Sequence, residues 1–230
     1  MKKIRSLLII LFVLISAAKL FAEDATVTYV SGKVEVQRGS SWVAVKKGDT
    51  LSKSDMISTG FQSEAKIKIL DSVLYLGPVT RITLEELSSK DNQDNVNVYL
   101  KTGTVRSQVR HVENKRVNYQ VHTAIAVASC RGTGWIIDDS NNVTGLEGTL
   151  SVSAKKIGHD NDLVFDDGIL LTANQTIKVT DDGVVTEPKS SVEDEAEQII
   201  VTVDPEGINR NNSGAGASGT VEVTITGPDD

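Results

Sequence analysis

The 230-residue sequence holds one cysteine, three histidines, four prolines and 4% aromatic residues. A lone cysteine excludes an intramolecular disulfide, a paired-thiol redox centre and a multi-thiolate metal site. His111, His122 and His159 are scattered without the spacing that places two ligands on one face, so no metal centre is expected. There is no Gly-x-Ser-x-Gly, no helical His-Glu pair and no glycine loop opening a helix. The aspartate-rich stretches at 138–142 and 160–168 miss the spacing of a calcium loop and read as turns. Carboxylates are plentiful, but nothing nominates two of them as a catalytic pair. No catalytic residue, cofactor site or metal ligand is therefore assigned, and an enzyme is not expected. Positive charge is also short. The net charge is −7, which disfavours nucleic acid as a partner. Beyond the first 22 residues no run is apolar enough to span a bilayer.

Those first residues have the build of a signal peptide. Lys2, Lys3 and Arg5 precede an apolar stretch from Ser6 to Ala18, and Ala22 stands before Glu23-Asp24. Cleavage after Ala22 would remove four basic and no acidic residues, leaving 20 − 31 = −11. This reading puts the mature chain in the periplasm or outside the cell, with no membrane span.

From Ala25 onward the sequence has the texture of strands. Period-two alternation of valine, isoleucine and threonine returns at 26–36, 64–70, 72–77, 95–109, 117–128, 148–156 and 175–180, separated by Gly, Asp and Asn turns. Only "TLEELSSKD" (83–91) suggests a turn of helix. "VSGKVEV", "LKTGTVRSQV" and "LEGTLSVS" each set a glycine before an alternating strand, which suggests a reused glycine corner. The pattern predicts an all-β domain over 25–185: a β-roll, a short β-solenoid or a sandwich. From 186 to 230 an acidic and Gly/Ser-rich flexible tail is expected, with strand-prone segments at 199–203 and 220–226.

The stretch "VASCRGTGWII" (127–137) frames the question of chemistry. Cys130 continues a face of small residues, Ala124, Ala126 and Ala128, and reads as a buried hydrophobe rather than a nucleophile. Gly132 and Gly134 lead into a β-prone run, not a helix, so a phosphate loop is excluded in favour of a kinked strand.

Taken in order, "VSGKVEVQRGSSWVAVKKGDTLSKSDMISTGFQSEAKIKILDSVLYLGP", "LKTGTVRSQV", "VHTAIAVASCRGTGWII", "VTGLEGTLSVS" and "ILLTANQTIKVTDDG" resemble the FecR domain over roughly residues 27–185. The family's Arg-Gly-Thr signature falls on Arg131, Gly132 and Thr133, with Trp135 and Gly148 in the neighbouring blocks. The resemblance implies a structural role for these five residues, Arg131 satisfying carbonyls or a carboxylate at the bend. The sequence departs from the family pattern at Thr123-Ala124, where Thr-Pro is usual, and at Ala173-Asn174-Gln175, where Gly is usual before Gln. The regulators that gave the family its name carry a cytoplasmic anti-sigma segment. Five residues before the apolar run leave no room for one, so direct sigma-factor binding is not expected. The function implied is an exported, non-enzymatic binding, scaffold or signalling module of the cell envelope, with an envelope protein or a glycan as partner. An enzyme on an unrecognised β scaffold and a surface adhesin are the alternatives.

Overall fold

The computed structural model describes residues 25–157, 163–165 and 168–191. The expected signal peptide, His159 and the tail strands at 199–203 and 220–226 lie outside them. Among the described residues there are nineteen strands in two sheets and no helix.

The chain weaves between the sheets. β1 (Ala25–Ser31) belongs to the first sheet, and the hairpin β2 (Val34–Arg38) and β3 (Ser41–Ala44) to the second. β4 (Thr50–Leu51) returns to the first, and β5 (Met56–Thr59) crosses again. The hairpin β6 (Glu64–Ile69) and β7 (Ser72–Leu76) is in the first sheet, and β8 (Arg81–Lys90) and β9 (Gln93–Thr102) are in the second. β10 (Thr104–Gln108) lies in the first, and β11 (Arg116–His122) and β12 (Ala126–Cys130) lie in the second. β13 (Gly134–Asp138) and β14 (Asn142–Glu147) come next, in the first. β15 (Thr149–Ile157), β16 (Leu163–Phe165) and β17 (Ile169–Thr172) lie in the second, and β18 (Gln175–Lys178) and β19 (Lys189–Ser190) in the first.

Across the first sheet the order is β19-β18-β14-β13-β10-β7-β6-β1-β4, and across the second β16-β15-β12-β11-β9-β8-β5-β2-β3, with β17 added on β15. Both sheets therefore grow in one direction as the sequence proceeds. Neither closes into a barrel, so the architecture is sandwich-like. Every pairing is antiparallel except β9 with β11.

The period of two explains the core. Ala65, Ile67 and Ile69 on β6, Leu74 and Leu76 on β7, and Val96, Val98 and Leu100 on β9 point between the sheets and join one continuous cluster. Each such Leu or Ile contributes on the order of 1.5–3 kcal/mol.

The crossings use the expected glycine corner. Gly32, Gly103 and Gly148 all stand between a strand of one sheet and a strand of the other, and all three have positive φ. At Gly103 (φ +88°) a Cβ would lie 2.4 Å from Thr80 Oγ1 and 2.6 Å from Thr80 Cα. That space is taken because the Thr80 hydroxyl closes the corner, accepting from Thr104 N at 3.1 Å. Ser63 stands in the same relation to Gly32, its hydroxyl accepting from Lys33 N at 2.8 Å, whereas at Gly148 it is the Thr133 methyl, 3.0 Å from a Cβ there, that takes the space. A buried hydroxyl residue opposite a left-handed glycine is thus the repeated unit.

Two local readings differ from the sequence expectation. "TLEELSSKD" is not helical but belongs to the ten-residue strand β8. A bulge between Leu84 and Glu86 shifts its register against β9, so the buried residues fall at Ile82, Leu84 and Leu87 and mimic helical spacing. The single run 95–109 is two strands, β9 and β10, which part at Gly103 into different sheets.

Candidate functional site

The Arg-Gly-Thr stretch is the crossing from β12 to β13. β12 is made of small residues because of what faces it. Trp135 on β13 is fully buried, and its Nε1 donates to Cys130 Sγ at 3.3 Å, reaching from one sheet to the other. Ala126, Ala128 and Cys130 are buried on the facing strand. Ala124 does not continue that face; it is exposed in the turn before β12.

Cys130 has the properties of a core residue. Burial pushes its thiol above the ordinary range, and hydrogen bonding near Thr133 and Trp135 only partly offsets this. A thiol that resists ionisation is a poor nucleophile. Tyr119, paired opposite Cys130, is fully buried, and burial likewise raises its phenol. The Tyr119, Ser107 and Thr133 hydroxyls have no hydrogen-bond partner among the described residues, although Ser107 is near enough to Tyr119 to favour its ionised form slightly.

The motif residues divide. Thr133 is buried and its carbonyl accepts from Val109 N at 2.8 Å. Gly132 has no positive φ, but a Cβ there would come within 2.9 Å of His111 Cβ, so it is held by close approach rather than by handedness. Arg131 differs from the expectation of a structural fork. Its side chain is exposed and makes no hydrogen bond or ion pair among the described residues.

Arg131 instead borders a cleft of about 900 Å³. The cleft exists because β12 stops at Cys130 and the chain leaves for the other sheet. The first residues of β11 (Arg116, Val117, Asn118) and of β15 (Thr149, Leu150, Ser151) are left flanking a gap, roofed by His111 and Lys115 from the preceding loop. Sequence reading missed this site because its residues come from five separate segments with no motif in common.

The remaining candidates are accounted for locally. His122 is buried, with Nε2 at 2.8 Å from Glu85 Oε2, Nδ1 at 3.0 Å from the Thr123 carbonyl and its ring 5.1 Å from that of Tyr99. Asp138 accepts from the backbone of Ser140 and Asn142 and shapes the turn after β13. Asp139 reaches the β9–β10 crossing, its Oδ2 accepting from Gly103 N at 2.7 Å and Thr102 Oγ1 at 2.9 Å. Among the described residues no three of His, Cys, Asp and Glu converge as metal ligands.

These features describe a two-sheet β domain with a polar cleft at its Arg-Gly-Thr corner. Residues 55–152, which include the strands that build this corner, match the family model described as FecR protein. Two solved structures, of a candidate anti-sigma factor from Parabacteroides distasonis at 2.50 and 1.65 Å resolution, are similar at 17% identity and a TM-score of 0.46. Each likeness covers 62% of this chain and 62% of that one. No curated protein matches the chain.

Proposed function

We propose that the protein is an exported FecR-type module of the bacterial cell envelope that binds a partner and catalyses nothing. Its signalling-related character rests on the FecR match. The mode of binding rests on one observation, the edge strand β3.

Among the described residues five strands have a neighbour on one side only: β3, β4, β16, β17 and β19. β4 and β19 are two residues long and β16 is three, and a short edge offers little to pair with. β3 and β17 have four residues each, but β17 buries Leu171 and half-buries Ile169, whereas all four residues of β3, Ser41-Trp42-Val43-Ala44, are exposed. It carries neither charge nor proline, the usual guards of an edge, and displays Trp42 (38% exposed) and Val43 (48%). Arg81 stacks on the Trp42 ring at 5.3 Å and steadies it. An extended segment of a second envelope protein would add here as a further strand, its backbone supplying affinity and its alternate side chains meeting Trp42 and Val43.

The test is site-specific photo-crosslinking from position 43 in intact cells, beside a Val43→Lys variant with parental melting. A defined crosslinked partner, lost from pull-downs of Val43→Lys, is expected. Equal capture by both would remove β3 from the function. A mature N-terminus at Glu23 is expected for the native protein; a chain starting at Met1 in the cytosol would end the export reading.

A further inference from the structure

The charge of the cleft runs against the charge of the chain. The protein is acidic overall, at −7, yet the charged side chains lining this cleft, Lys115, Arg116 and Arg131, are all basic, and His111 stands beside them. Lys115 is committed, with its Nζ 2.8 Å from Asp94 and 3.7 Å from Asp71. Arg116 and Arg131 are exposed and have no ion pair among the described residues. Arg116 opens β11 and Arg131 lies in the β12–β13 crossing, so two guanidiniums border one opening and both attract an anion bound there. Each presents a planar fork of donors that matches a carboxylate or phosphate.

The rest of the lining specifies what the anion is attached to. Gln93, Asn118, Ser129, Thr149 and Ser151 surround the basic groups with amides and hydroxyls. Such groups donate and accept, and so suit a ligand rich in hydroxyls. The volume is well above that of a single inorganic ion and within the range of small-molecule sites. No Phe, Tyr or Trp side chain lines the cleft, so a neutral sugar would lack a broad stacking platform and the charge must anchor it.

We infer that this cleft binds an acidic saccharide, its carboxylate or phosphate held by Arg116 and Arg131 and its hydroxyls by the surrounding amides and hydroxyls. The site is separate from β3, and neither reading depends on the other.

Calorimetric titration of the full chain with an oligogalacturonate, with glucose 6-phosphate and with neutral maltotriose tests this. At least one acidic sugar is expected to bind, with affinity that falls as salt rises. Whether the uronate or the phosphate binds identifies the anion. Arg116→Gln and Arg131→Gln should each weaken binding about tenfold or more, the loss of one charge-assisted hydrogen bond. Their melting should match the parent, because neither arginine supports the fold. Val43→Lys should bind sugar like the parent, which keeps the outcome independent of the partner-strand reading. Failure of both acidic sugars to bind would overturn the assignment. So would maltotriose binding as tightly as they do, or parental affinity in both arginine variants.

Discussion

Trp135 is the residue on which the Arg-Gly-Thr corner turns. It fills the space between the sheets, and among the described residues its indole N–H finds its acceptor in Cys130. Cys130→Ala leaves that buried donor unpaired, so a loss of about 1–2 kcal/mol in denaturant unfolding is expected, more than the few atoms removed would suggest. Cys130→Ser, which restores an acceptor, should recover part of it. Thiol labelling should be slow in the native protein and fast in denaturant; rapid native labelling would contradict the inward-facing sulfur. The glycines can be ranked in the same way. At Gly103 a methyl group meets backbone atoms of Thr80 and Val79 within 3 Å at a φ of +88°. At Gly132 the φ is ordinary and the nearest obstacle is a loop side chain. Gly103→Ala is expected to cost about 3 kcal/mol and Gly132→Ala about 1 kcal/mol. Thermal or denaturant melts of the pair would reverse the ranking if the crossing at Gly103 could relax.

Elements that are distant in sequence are tied at their corners by single side chains, and Asp139 is the plainest case. From the turn between β13 and β14 it grips Gly103 and Thr102, where β9 hands over to β10. Asp139→Ala should lower stability by about 1–2 kcal/mol, while Asp139→Asn, which keeps an acceptor oxygen, should lose less; melting curves would decide. Sequence reading found most of these elements because alternation is direct evidence of a strand with one buried face. It failed where alternation was interrupted. The bulge in β8 put Leu84 and Leu87 three apart and imitated a helix. β3, β4 and β5 are too short, or too exposed, to show a period. The glycine corners were legible in three repeats of one local pattern, but their meaning as crossings between sheets was not, since that depends on what lies opposite. The cleft was hidden for the same reason. Arg131 lies in a visible motif, whereas Arg116 becomes its neighbour only because β12 ends early.

The buried hydroxyl and thiol make the whole molecule sensitive to alkali. Burial raises the pKa of Cys130 and Tyr119, so above roughly pH 8.5 the unfolded chain releases protons that the folded chain retains. Stability therefore falls as pH rises through that region. Lys115 acts in the same direction, because its bond to Asp94 raises its pKa and that stabilisation is lost as the amine deprotonates. Urea midpoints measured from neutral to alkaline pH should decline, with a shallower slope in Cys130→Ala. The progressive strand order has its own signature. Each strand is bonded only to near neighbours along the growth direction, so amide exchange should be slowest in β9, β10, β11 and β13 and faster toward β3 and β19. The same order governs how the protein would carry mechanical load. Ala25 and Ser191 sit near opposite ends of the strand stack, so tension between them runs along the inter-strand hydrogen bonds rather than across them. The bonds are loaded in succession and not all at once. Pulled from its two ends, the domain should unzip strand by strand at low force, yielding as a compliant link instead of resisting as a rigid clamp.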